Sequence, residues 1–129
     1  MGQPIAVKQG ICFAFPDMLK TTSAPPVVIP CPNIAQLSQA TATATTVTAG
    51  GKEVITEDST IADSTGGEAG AGGGVKNGSW LKDCKFTSCS GTVKANGKRV
   101  VRQGDSTSQN NGNAAGTVLS GVPTVLVGG

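Results

Sequence analysis

Apolar and polar residues alternate with a period of two in short runs, and these runs are broken by glycine, proline and asparagine. Thr41 to Thr48, with Thr and Ala alternating ahead of Val47, reads as a strand. The stretch Thr46-Val47-Thr48-Ala49-Gly50-Gly51-Lys52-Glu53-Val54-Ile55 then matches Thr92-Val93-Lys94-Ala95-Asn96-Gly97-Lys98-Arg99-Val100-Val101 without a gap. Each copy predicts a strand, a two-residue turn and a returning strand. Gly50-Gly51 and Asn96-Gly97 both tolerate the two positive φ angles of a type I′ hairpin. Each copy closes on an acidic turn, displaced by one residue between them: Glu57-Asp58-Ser59-Thr60 and Gly104-Asp105-Ser106-Thr107. A fainter third unit, Gly116 to Val127, is expected to be strand, turn and strand as well. The pattern predicts a mainly β body of three hairpin-like repeats with approximate threefold symmetry.

The first third is punctuated differently. Pro16, Pro25, Pro26, Pro30 and Pro32 disfavour central strands and long helices, and favour edge or polyproline segments. A short helical turn is expected over Asn33 to Gln39. Phe13 and Phe15 flank Ala14, so on a strand they share a face, expected to be core. The glycine-rich run from Gly66 to Gly74, continued by Asn77-Gly78, is expected to be a loop.

Composition narrows the functions. The chain of 129 residues suits a single domain over 1–129. It carries 19 glycines and 7 prolines but only 3% aromatics and 14% charged residues. Histidine is absent, which removes Ser-His-Asp and Cys-His catalysis and histidine metal ligation. A net charge of +2 spread along the chain leaves no footprint for nucleic acid or anionic lipid. The longest apolar run, Val122 to Val127, is far short of a membrane helix. The N-terminus has neither a basic segment nor an apolar run of signal length, so a cytosolic start is expected.

The unit from Gly91 to Asp105 resembles the repeat of PAAR proteins, the tip proteins of type VI secretion and related contractile injection machines. Cys12-Phe13-Ala14-Phe15-Pro16-Asp17 resembles the phenylalanine-proline-aspartate box of the PAAR-like subfamily. Ala24 to Ile34, containing Pro30-Cys31-Pro32-Asn33, resembles its proline-rich stretch. The glycine-rich centre and Asn110-Asn111-Gly112-Asn113 fit as well, so the resemblance spans essentially the whole chain. It implies a pointed β cone that caps a trimeric VgrG-type spike, one copy per trimer, by strand addition at the spike's edges. It implies a mechanical role in puncturing a target membrane, with transient membrane contact. With no room for an appended toxin domain, effector cargo would travel by docking. A single chain on a trimer must offer three similar faces, which the three-unit pattern supplies. The rival structural reading is a phage baseplate or decoration protein, and the rival of another class is an enzyme with a cysteine nucleophile.

PAAR proteins generally hold one zinc through histidines and a cysteine, and this chain departs from that by having no histidine. Its four cysteines, Cys12, Cys31, Cys84 and Cys89, match in number a tetrahedral zinc site, and Zn2+ is the expected cofactor. Buried free thiols and disulfides remain open alternatives. Among other candidates, Gly70 to Gly74 lacks the Gly-Lys-Ser/Thr of a phosphate loop. Glu57, Asp58 and Asp105 are expected to be turn formers rather than catalytic carboxylates, so no catalytic residue is assigned. Lys98, Arg99 and Arg102 are read as a solvated face, and Trp80 as packing against the body.

Overall fold

A computed structural model describes residues 2–128. In chain order the strands are β1 (Gln3–Ile5), β2 (Ile11–Lys20), β3 (Val28–Gln36), β4 (Ala44–Ala49), β5 (Lys52–Val54), β6 (Thr60–Ile61) and β7 (Gly73–Gly74). They continue with β8 (Cys84–Phe86), β9 (Lys94–Ala95), β10 (Lys98–Arg99), β11 (Ser106–Gln109), β12 (Ala114–Val118) and β13 (Val122–Val127). Two 3-10 turns, Leu37–Gln39 and Glu68–Gly70, are the only helical segments among the described residues. The expected turn over Asn33 to Gln39 is thus half strand: β3 runs on to Gln36, and only Leu37–Gln39 turns.

Seven strands form one sheet in the order β3-β2-β12-β11-β8-β6, with β7 also pairing to β2. The sheet curls, so side chains of β2 and β8 meet on its concave side although two strands separate them. Its interior holds Ala6, Cys12, Ala35, Leu37, Ile55, Ile61, Cys84, Phe86, Val101 and Val118. On β2 the buried face is Cys12 and Ala14, which leaves Phe13 half-buried and Phe15 58% exposed. The shared-face expectation for the two phenylalanines therefore assigns the wrong face, because the narrow interior takes the small side chains. Pro16 lies in this central strand despite its missing N–H. It sits where the β2–β3 register shifts between Ala14 and Asp17, a break that needs no donor there. Pro30 and Pro32 fall on the edge strand β3, as edge prolines should.

The glycine run is packed rather than free. Gly74 pairs with Leu19 on β2. A Cβ at Gly70 would fall 2.3 Å from Leu19 Cβ, and one at Gly74 would fall 2.3 Å from Asn113 Oδ1. Glycine stands here so that this segment can lie flat against β2, which is why the expected loop becomes a 3-10 turn and a short strand.

Three two-stranded ribbons lie outside this sheet: β4–β5, β9–β10 and β1–β13. Two of them are the hairpins that the internal repeat predicts. Gly50 and Gly51 have φ of +59° and +81°, and Asn96 and Gly97 have φ of +53° and +78°, positive at both turn positions in each case. The third unit is not the local hairpin expected over Gly116 to Val127. β12 pairs with β11 and β2, while β13 crosses to β1 near the other end of the chain. No residue from Gly116 to Val127 has the positive φ of a primed turn, so nothing folds β13 back onto β12. The three ribbons enclose a second core of Ile5, Val7, Ala44, Ala49, Val54, Ala95, Val100 and Val127.

Extra space at Gly70 is the limiting quantity, so Gly70→Ala is expected to cost about 1–3 kcal/mol by overpacking against Leu19. Thermal melting of the variant should fall by several degrees; an unchanged midpoint would show that this segment is not tightly seated.

Candidate functional site

The ribbons are joined by a closed ring of backbone hydrogen bonds. Ala6 N–H donates to the Val101 carbonyl at 2.9 Å, Val101 N–H to Ile55 at 3.0 Å, and Ile55 N–H back to Ala6 at 3.0 Å. All three residues are fully buried. A second set runs around the same ring: Lys8 N–H to Glu53, Glu57 N–H to Arg99, and Gln103 N–H to Pro4, at 3.0, 2.8 and 2.8 Å. Each segment thus bonds to both others through positions in the same relation, Pro4-Ala6-Lys8, Glu53-Ile55-Glu57 and Arg99-Val101-Gln103. Alternating side chains then point to different cores. Ala6, Ile55 and Val101 enter the sheet interior, whereas Ile5, Val54 and Val100 enter the ribbon core. Burying a Val or Ile side chain contributes about 1.5–3 kcal/mol, so the ring is held from both sides.

The acidic turns leave this ring. Thr56 N–H donates to Ser59 Oγ at 2.9 Å, and Arg102 N–H donates to Asp105 Oδ2 at 2.7 Å. Ser59 and Asp105 therefore do the same work, which explains the one-residue displacement of the acidic motif between the two copies. Asp105 also forms a nearly buried ion pair with Arg102, N···O 2.8 Å. That hydrogen bond holds the Arg102 guanidinium above its ordinary range. Arg102 and Ser90 in turn donate to the Gly128 carbonyl, at 3.4 and 2.9 Å, and tie down the end of β13. Glu57 accepts from Arg99 N–H at 2.7 Å, and Asp58 pairs on the surface with Lys98 at 2.9 Å. Lys98 and Arg102 are thus each paired with an acid.

A second feature unites three motifs that are far apart in the chain. Asp17 from the Phe-Pro-Asp box is fully buried, and its carboxyl accepts hydrogen bonds from the side-chain amides of Asn33, Asn110 and Asn113. Asn33 Nδ2 donates also to Ser64 Oγ at 2.8 Å, and its own Oδ1 accepts from Gln109 Nε2 at 2.9 Å. The carbonyl ends of Asn110 and Asn113 accept from Lys82 N–H and Lys76 N–H, both at 3.0 Å. Asn110, Asn111 and Gly112 take φ of +49°, +54° and +92°, a left-handed turn that asparagine and glycine accept most readily. Every buried side-chain polar atom among the described residues finds a partner. The knot locks β2, β3 and the segments around 76–82 and 110–113 together. Trp80 packs at its margin, 36% exposed, with its indole N–H donating to the Gly67 carbonyl at 2.8 Å.

The cysteines do not assemble. Cys12 and Cys84 meet in the sheet interior, and Cys89 packs against that same core. Cys31 lies outside it on β3, opposite Asp17. Among the described residues no group of three or more cysteines and carboxylates is placed to hold a metal ion. The residues present therefore do not fit the four-thiolate Zn2+ site expected of Cys12, Cys31, Cys84 and Cys89, because Cys31 lies on β3 outside the core that holds the other three. All four thiols are free. The Cys12 thiol is held far above its ordinary value of 9.0, first by its hydrogen bond with Cys84 and then by burial. Burial also pushes the Cys31 thiol up, helped by the charges of Asp17 and Glu68. Thiols held protonated in this way behave as small apolar side chains.

The family model for the Toxin PAAR-like domain matches residues 10–116. No curated protein and no solved structure matches the chain. The matched span holds the polar knot and two of the three ribbons, while β1 and β13 lie beyond it.

Replacing Asp17 by Asn would set an amide N–H2 against three amide donors and strand buried N–H groups. Asp17→Asn is expected to destabilise by about 3 kcal/mol or more in urea unfolding, given about 1–3 kcal/mol for each unsatisfied buried group; a loss within error would mean that the knot rearranges freely. The raised Cys12 thiol sets a pH dependence. Above pH 9.0 the unfolded chain loses a proton that the folded chain keeps, so unfolding is favoured as pH rises. Stability should be flat below that value and then fall by about 1.4 kcal/mol per pH unit for this group. Cys12→Ala should make the alkaline slope shallower.

Proposed function

The chain belongs to the Toxin PAAR-like domain family, and from that membership we propose that it caps a trimeric VgrG-type spike of a contractile injection machine, one copy per trimer. The observation that carries the proposal is the closed ring. A threefold trimer offers three identical edges, and a single chain can match them all only by repeating one arrangement three times. The donor and acceptor pattern at Ala6, Ile55 and Val101, repeated at Lys8, Glu57 and Gln103, is such a repetition. The role is mechanical and not catalytic. Asp105 closes its turn, Glu57 accepts from the Arg99 N–H of the neighbouring ribbon, Asp58 pairs with Lys98, and the buried Cys12 thiol is held in its unreactive form. Made in the cytosol, the tip would ride at the point of the spike, meet the target membrane on contraction, and carry effector cargo by docking.

The test is the native mass of the purified chain mixed with the VgrG-type spike protein of its own organism. A complex of one chain with three spike subunits is expected. A chain that self-associates into a closed oligomer and ignores the trimer would overturn the reading in favour of a decoration-type protein.

A further inference from the structure

The outer strand of each ribbon bows outward in the same way. In β4–β5 the register passes from Ala44↔Val54 to Thr48↔Glu53, leaving residues 45–47 unpaired. In β1–β13 it passes from Val122↔Ile5 to Leu126↔Pro4, leaving residues 123–125. In the third ribbon Val100 accepts from Ser90 N–H and donates to the Val93 carbonyl, while Lys94 pairs with Arg99, so residues 91–93 bow out across a matching gap between Ser90 and Lys94. The bowed residues read Thr45-Thr46-Val47, Gly91-Thr92-Val93 and Pro123-Thr124-Val125. A Thr-Val step recurs at each, although β13 lies in the fainter third unit and outside the gapless match of the other two. The three valines are 37%, 36% and 36% exposed. The inner ends are closed in each case by small or apolar residues, Ala49, Ala95 and Val127, all buried.

Folding does not call for these valines. Each stands half in water on an edge strand, where a threonine or lysine would serve the ribbon equally well. Resting on the spike-cap reading, we infer that Val47, Val93 and Val125 are the anchor points through which the chain seats on its partner, one valine per subunit of a threefold homotrimer. Charge and symmetry select that occupant. The exposed tetrads Thr45 to Thr48, Gly91 to Lys94 and Pro123 to Leu126 contain no carboxylate and one cation, Lys94. Nucleic acid or anionic lipid would call for several cations there. A second copy of the chain would call for a twofold self-complementary patch rather than three alike. Each contact is small, and affinity comes from engaging three at once, since the second and third bind intramolecularly.

The experiment measures affinity of the full chain for the VgrG-type spike trimer of its own organism by titration calorimetry. Val47→Arg, Val93→Arg and Val125→Arg are made singly and together. Val75→Arg serves as control, since Val75 is 51% exposed but lies beside Met18, away from the ribbons. Each single variant is expected to weaken binding about tenfold, by a similar factor at each of the three sites, and the triple variant to abolish it. The control should bind as the native chain does. Where an arginine variant melts early, the Val→Thr variant at that position keeps the strand former and is expected to lose binding by a smaller, still measurable factor. A triple variant that binds undiminished overturns this surface and leaves the spike-cap reading standing. A native chain that does not bind the trimer overturns both.

Discussion

Three backbone hydrogen bonds among Ala6, Ile55 and Val101 govern the shape of this molecule. Each residue donates to one neighbour and accepts from the other, and none can reach water. A buried N–H left without a partner costs about 1–3 kcal/mol, so the ring is satisfied as a whole or not at all. Three segments far apart in the chain must therefore arrive together. The ribbons, the acidic turns that follow them and the two cores on either side are consequences of that closure. The inner bonds run round the ring in one sense and the outer set, from Lys8, Glu57 and Gln103, in the other, so each segment donates to both of its neighbours.

The polar knot around Asp17 meets a different demand. β2 is long, its partner β3 is rich in proline, and the glycine segment lying across it has no side chains with which to interlock. Apolar packing has little material here. Three amide side chains on one buried carboxyl supply directional order instead, and because every buried side-chain polar atom among the described residues is paired, the desolvation cost is offset rather than left standing. The Phe-Pro-Asp box, the Pro-Cys-Pro-Asn stretch and the Asn-Asn-Gly-Asn turn thus come to one point: they supply Asp17, Asn33, and Asn110 with Asn113. Their separation in sequence hides what they share in space.

Legibility in the sequence followed the range of the interaction. The hairpins at Gly50-Gly51 and Asn96-Gly97 were readable because a primed turn is written in the two residues that make it. The ribbon of β1 with β13 was not, because the pairing joins opposite ends of the chain and leaves no turn residues to read. β13 itself was legible as a strand; its partner was not. For the same reason the four cysteines looked like a set. Counting ligands says nothing about which strand face carries each one, and the register of β3 takes Cys31 away from Cys12 and Cys84. Phe13 and Phe15 share a face, as alternation predicts, but alternation does not say which face is the core, and the narrow interior takes Cys12 and Ala14 instead.

The composition becomes intelligible from the ring outward. Backbones that approach within hydrogen-bond distance on three sides enclose a narrow space, so side chains directed inward must be small. The interior accordingly holds Ala6, Cys12, Ala35, Ala40 and Cys84 beside a few branched residues, and Phe86 is the single aromatic in it. Larger side chains are pushed out, which is how a chain with 3% aromatics still exposes Phe15 and Trp80. Glycine performs the same service for the segments that wrap the sheet, since a methyl group at Gly70 or Gly74 already collides. A body this thin cannot rely on a large apolar core for its stability. It relies on closed backbone bonding around its girth and on the knot at Asp17, both of which resist shear because no partner can be surrendered singly.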